Sequence, residues 1–220
     1  TFDNTATTTV WLKHVDVGRF TFNATLDAAA TSTYPALTLT GNATVTSVPV
    51  GFGVAASSVK AAIAVQTACA VSPSAGCDAV AGPSARSGVA GTGFGTTVTA
   101  ALWTVDGDTD LTDNPVAPSY SGTATLSPNL AGPVGGTTGA LGTTAITLAG
   151  GSSTTASQTW SQSGILKISA AGTYLAQAIT GQSAILGRFS PRNFTTVLTT
   201  QGCGTFTYSG QPITVVGVRA

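Results

Sequence analysis

Four of the eight acidic residues in this 220-residue chain fall within VDGDTDLTDN, residues 105–114. Asp106, Asp108 and Asp110 alternate with Gly107 and Thr109, and Asp113 and Asn114 follow. Like charges packed this closely repel unless a cation or solvent separates them. Carboxylate and amide oxygens at such spacing can converge on a hard cation, and Ca²⁺ takes roughly six to eight oxygens in flexible geometry. The stretch opens like a calcium loop, yet it lacks the glycine at the sharp turn and the distal bidentate Glu, and the chain has no Glu at all. Weak Ca²⁺ binding by Asp106, Asp108, Asp110, Asp113 and Asn114 is one expectation. A solvated acidic loop, built from residues that favour turns, is the other.

Other reactive types are sparse. His14, the single His, sits in LKHVDV, where Asp16 shares its face of a strand. A Ser could complete a triad, but no G-x-S-x-G elbow is present, so no enzyme is expected. GTGFG at 91–95 precedes strand-like sequence, so no helix N-terminus follows it to receive a phosphate. Trp11, Trp103, Trp160, Tyr120, Tyr174 and Tyr208 would stack on sugars if exposed, or fill a core if not. Asn23, Asn42 and Asn193 each open an N-x-Thr triplet.

Cys69 and Cys77 enclose AVSPSAG, a loop short and turn-rich enough to bring the two within disulfide range, which points to an oxidising compartment. Cys203 is left over, and one His with widely spaced Cys lacks zinc-ligand spacing.

The elements that must position these residues are strands. Met and Glu are missing while Thr, Ala, Gly, Ser and Val abound, and β-branched residues favour pleated sheet. Alternating segments at 18–26, 37–50, 94–105, 120–128, 143–150, 157–172 and 204–218 have the spacing of an immunoglobulin-like antiparallel β-sandwich. A short helix within 57–68 and long loops at 72–93 and 128–142 complete the pattern. Only 7% of residues are charged and the net charge is zero. Eight scattered Lys and Arg form no stripe for phosphates, so no nucleic acid is expected. No run of about 18 apolar residues is present, so no membrane span is expected. Near-zero charge favours association.

Internal repeats sharpen the division. VDVGRFTFNATL at 15–26 resembles QSGILKISAAGTYL at 162–175; LTGNATVTSVPVGF at 39–52 resembles ITGQSAILGRFSPRNF at 179–194; FGTTVTAA at 94–101 resembles ITVVGVRA at 213–220. The chain therefore reads as one complete module, 51–190, flanked by closing strands at 1–50 and opening strands at 191–220, as in an excised or processed piece. Val15, Val17, Phe20 and Phe22 at one end, and Ile213, Val215 and Val218 at the other, would then meet across copies or neighbouring modules by strand addition.

The ordered set LTDNPVAPSYSGTATLSP, TWSQSGILKISAAGTYLA, LGRFSPRNF and CGTFTYSGQPITV resembles the domain of unassigned function found in MshQ-type proteins of the mannose-sensitive haemagglutinin pilus system. The pair GRFSPRNF and FTYSGQPI is the specific part, and the likeness covers about residues 50–220. It implies an extracellular β-sandwich array on a bacterial pilus or cell surface, with no catalytic residues to carry over. The expected function is a structural, head-to-tail filament subunit, or else an adhesin module for a glycan or surface. Non-reducing peptide mapping should find Cys69 joined to Cys77; a bridge from Cys69 to Cys203 would contradict the loop reading.

Overall fold

A computed structural model describes residues 9, 11–32, 35–58, 88–200, 208–211 and 214–219. All regular structure among them is strand, as the Thr- and Val-rich alternation predicts. β1 (Gly18–Ala28) and β2 (Leu37–Ser47) form an amino-terminal hairpin. The central body holds β3 (Gly51–Ser57), β4 (Gly88–Val89), β5 (Phe94–Ala101), β6 (Ser121–Gly132), β7 (Ala145–Ala149), β8 (Ser152–Gln158), β9 (Gly164–Tyr174), β10 (Gln177–Gln182) and β11 (Leu186–Ser190). β12 (Thr195–Thr200) and β13 (Thr214–Arg219) pair at the carboxyl end.

The body's strands run β3-β5-β8-β7-β6-β9-β11-β4, with β10 also on β9. Between β7 and β8 only Ala149 and Ser152 pair, so the ladder nearly lapses there and the sheet folds over into a β-sandwich. Period-two alternation fills the space between the layers. Phe94, Val98 and Ala100 of β5 turn inward to meet Leu126 of β6, Ile146 and Leu148 of β7, and Leu166 and Ile168 of β9. On the side opposite the fold, Val54 of β3 and Ser183 just past β10 make a parallel bridge that brings the two ends of the sandwich together.

Trp160 is fully buried edge-on to Phe189, and its indole Nε1 donates to the Thr138 carbonyl at 2.8 Å. Gln158, also fully buried, uses both ends of its amide: Oε1 accepts from the Thr143 and Thr159 N–H groups, and Nε2 donates to the Thr143 carbonyl. A buried amide is tolerated only when satisfied in this way. Tyr120 is buried against Phe52 and Tyr174, and its hydroxyl has no partner among the described residues; burial first and Tyr174 second push the phenol up from its ordinary value.

Two expectations shift. β6 runs on to Gly132, into a stretch read as loop, because Leu126, Pro128 and Leu130 continue its ladder with β9. β3 extends through Ser57, where the helix was to begin. Residues 59–68 of that segment, together with Cys69, Cys77, Cys203 and Ile213, lie outside the described residues.

The β9–β10 turn consists of Leu175 and Ala176 alone, both left-handed, at φ 47° and 67°. Side chains at Cβ disfavour that conformation by about 1–2 kcal/mol per residue, and two-residue hairpin turns favour Asn-Gly. Replacing the pair by Leu175→Asn with Ala176→Gly should raise stability by about 1–2 kcal/mol in urea denaturation. A lowered midpoint would mean that packing of Leu175 outweighs the turn strain.

Candidate functional site

The hairpin β1–β2 separates its residues cleanly by face. Phe20, Phe22, Ala24 and Leu26 lie opposite Val45, Ala43, Gly41 and Leu39, and every one of these is apolar or glycine. Arg19, Thr21, Asn23, Thr25 and Asp27 lie opposite Thr46, Thr44, Asn42, Thr40 and Thr38 on the other face. There Thr38 donates to Asp27 at 2.7 Å, and the Thr21 and Thr44 hydroxyls meet at 3.3 Å. The apolar face is uncovered among the described residues: Phe22, Leu26, Leu37, Leu39 and Val45 are all exposed. It dips into a trough of about 320 Å³ over Ala24, Leu26, Leu39 and Gly41. A two-stranded hairpin is marginal alone and needs a further strand or a covering layer.

The repeat seen in sequence has a structural counterpart. Gly18 and Gly164 open β1 and β9 with matching φ of 140° and 135°. Ala24 pairs with Gly41 as Ala170 pairs with Gly181, and Leu26 with Leu39 as Gly172 with Ile179. In β9–β10 this face is core: Ile168, Ala170 and Ile179 are at most 3% exposed, whereas Leu39, which stands where Ile179 does, is 52% exposed. Among the described residues no sheet faces the amino-terminal hairpin, which otherwise matches the closing hairpin of the body.

The assembly residues divide accordingly. Val15 is exposed and Phe22 lies on the open face, while Phe20 is half-buried and stacked on His14 at 4.3 Å. Val17, expected on the open face, is instead buried in the central core, because it precedes the hairpin at the point where the chain meets the body. Val215 and Val218 stand in β13, in register with Leu198 and Thr196.

Asp16 fixes the hairpin's base. Its Oδ1 accepts from the Val17 N–H at 2.7 Å and the Ser119 N–H at 3.2 Å, and its carbonyl accepts from Ser47 Oγ and from His14 Nδ1, each at 2.8 Å. His14 therefore addresses the backbone of Asp16, and the carboxylate is occupied elsewhere. Beside this base lies a cleft of about 660 Å³ lined by His14, Val48, Leu102, Trp103 and Pro115. Trp103 is exposed, and its Nε1 donates to Asp106 at 3.1 Å. Trp11 and Tyr208 are exposed too, whereas Trp160 and Tyr120 fill the core.

The acidic loop turns on itself. Asp108 accepts from the Asp110 N–H at 3.1 Å and from the Thr104 hydroxyl at 3.2 Å. Asp110 accepts from the Thr112 hydroxyl at 2.6 Å and N–H at 3.0 Å, and Asn114 Nδ2 donates to the Leu102 carbonyl at 3.0 Å. Asx-type turns of this sort let short acidic side chains replace backbone partners. Among the described residues no three His, Cys or Asp side chains gather where one metal ion could be held. Midway along the loop, Leu111 lies so close over β3 that a Cβ on Gly51 or Gly53 would collide with it.

Residues 48–162 match the family model described as DUF6701, second domain, and residues 162–220 match that described as DUF6701, third domain. The chain belongs to the DUF6701 family. No curated protein and no solved structure matches it. In this DUF6701 chain the two matched stretches meet at Gln162, between β8 and β9, yet they share one core, since β6 pairs with β9 and Trp160 packs on Phe189. The hairpin β1–β2 precedes both stretches. Gly41 and Ser119 were missed as site residues from sequence, and Asp16 was weighed there only beside His14, not as the anchor of the hairpin; the glycine inside an otherwise regular strand was the one available signal for Gly41.

The Asp16 carboxyl is held below its ordinary value of 3.8, first by the Ser119 side chain and then by the Val17 N–H; Asp110 is lowered likewise by the Thr112 hydroxyl and N–H. With the folded pKa depressed, the unfolded chain takes up the proton first as pH falls. The stabilisation is whole above about pH 4 and is lost as pH drops through the folded value. The thermal midpoint should therefore fall below about pH 4, and by less in Asp16→Asn and Asp110→Asn than in the parent. Equal losses in parent and variants would remove these two carboxylates from the acid response.

Proposed function

We propose that this chain is a structural subunit of an extracellular bacterial filament or pilus-like appendage, joined head-to-tail through strand complementation. The observation that carries the reading is the hairpin β1–β2, with one face wholly apolar and, beyond Phe20, exposed, and with no strand on either outer edge among the described residues. Open edges template pairing with another chain, and each part-exposed Phe, Leu or Val gains on the order of 1 kcal/mol when covered. Sparse charge and zero net charge leave little repulsion between copies. The likeness of the sequence to MshQ-type domains supports a surface location.

A second reading, an adhesin module binding a glycan, draws on the Trp103 cleft. An exposed indole held by a carboxylate presents an apolar face beside hydrogen-bonding groups, the combination that stacks on sugar rings.

Light scattering and electron microscopy of the purified chain separate the two. The subunit reading expects polymers, lost on deleting residues 204–220 while the central body's melting transition persists. A monomeric parent chain whose glycan binding disappears in Trp103→Ala would replace it with the adhesin reading.

A further inference from the structure

Resting on the glycan reading of the Trp103 cleft, we infer that its ligand is an acidic sugar, stacked on the indole with its carboxylate on Lys13. The cleft, at about 660 Å³, falls within the roughly 300–1,000 Å³ common to small-molecule sites, and it shares their make-up of apolar walls with a few polar groups. Val48, Leu102 and Pro115 supply the walls; Lys13, His14 and Trp103 supply the rest.

Trp103 is 59% exposed, yet the acidic loop holds both it and its neighbours. Asn114 Nδ2 donates to the Leu102 carbonyl at 3.0 Å, Asp106 accepts from the indole Nε1 at 3.1 Å, and Asp108 accepts from the Thr104 hydroxyl at 3.2 Å. The Leu102 N–H donates in turn to the Pro115 carbonyl at 2.8 Å. The acidic run is thus the mount of one aromatic ring. An exposed indole fixed in advance loses little freedom when a ligand covers it, which is what a preorganised binding surface requires.

The root of the hairpin decides the charge of the ligand. The Asp16 carboxylate, which also lines the cleft, is directed to the Val17 and Ser119 N–H groups. Lys13 is left with no ion pair among the described residues. His14 Nδ1 must carry a hydrogen, because the Asp16 carbonyl that it meets at 2.8 Å can only accept, so Nε2 is the nitrogen left for a ligand hydroxyl. Phe20, stacked on the imidazole at 4.3 Å, fixes its plane. One unpaired cation matches the single charge of a carboxylate rather than the near-double charge of a phosphate monoester. A sugar that carries a carboxylate supplies the charge, the hydroxyl and the stacking face together, and its charge-assisted bond to Lys13 is the strong one.

Isothermal titration of the full chain with trigalacturonate against its methyl ester, and with sialyllactose against lactose, tests the site and the charge. At least one acid should bind, about tenfold more tightly than its neutral counterpart. Which acid binds distinguishes a uronate chain from a terminal sialic acid. Lys13→Gln should erase the preference by weakening the acid alone, and Trp103→Ala should abolish binding of acid and neutral sugar alike. Both side chains are exposed, so the melting temperatures should stay those of the parent. Asp106→Ala, which frees the indole, should weaken both sugars equally and keep the preference. Acid and neutral sugar bound equally well, or an acid preference unchanged in Lys13→Gln, overturns the charge assignment while the glycan reading stands. Binding that survives Trp103→Ala overturns the site, and no binding of any of the four sugars overturns both.

Discussion

The central body depends on the seam where β3 meets β10. Strands at the two ends of the sandwich approach there through glycine: Gly181 takes the Phe52 carbonyl, and a Cβ on Gly51 would stand 2.8 Å from the Thr180 carbonyl. Backbone in contact with backbone leaves no room for side chains, and that closeness carries Phe52 and Val54 into the core and ends the ladder against Ser183. The Ser183 hydroxyl helps, accepting from the Ile168 N–H and donating to the Ala184 carbonyl. Without the seam, both ends of the sandwich would be open edges of the kind that invite pairing with other chains.

The same seam sets the place of the acidic loop. Leu111 rests on β3 across Gly51 and Gly53, so the loop is a cover over the first strand of the body. Its carboxylates face outward and take up the N–H and hydroxyl groups that the turns leave over. Crowding of four Asp residues is thus tolerable for a local reason: two of them replace backbone partners, one holds the Trp103 indole, and solvent screens the set.

The amino-terminal hairpin repeats the closing half of this design, with no opposite half among the described residues. It has the register of β9–β10, the same left-handed glycine at its start and the same apolar face, but its side chains meet solvent. Asp16 secures only its base, tying Val17 and Ser47 to the turn at Ser119. The hairpin thus projects from a firm root with its apolar surface unspent, and this surface is the feature that most needs a partner.

Composition and alternation were enough to give an all-β sandwich, since β-branched residues at period two have few other places to go. The repeats were equally legible: Gly18 with Gly164 and Gly41 with Gly181 align by eye, and the pairing registers agree. The Gly150–Gly151 turn was readable too, both residues being left-handed, whereas Leu175–Ala176 makes a turn just as tight from residues that signal none. Tertiary structure alone decided the fates of equivalent residues. Ile179 is buried and Leu39 exposed because exposure depends on what lies across the sheet, which no local pattern encodes. The acidic run fits a metal site or a set of turns equally well from its spacing; in the folded chain its carboxylates close local turns, and Leu111 in its midst meets β3, a contact between segments some 60 residues apart.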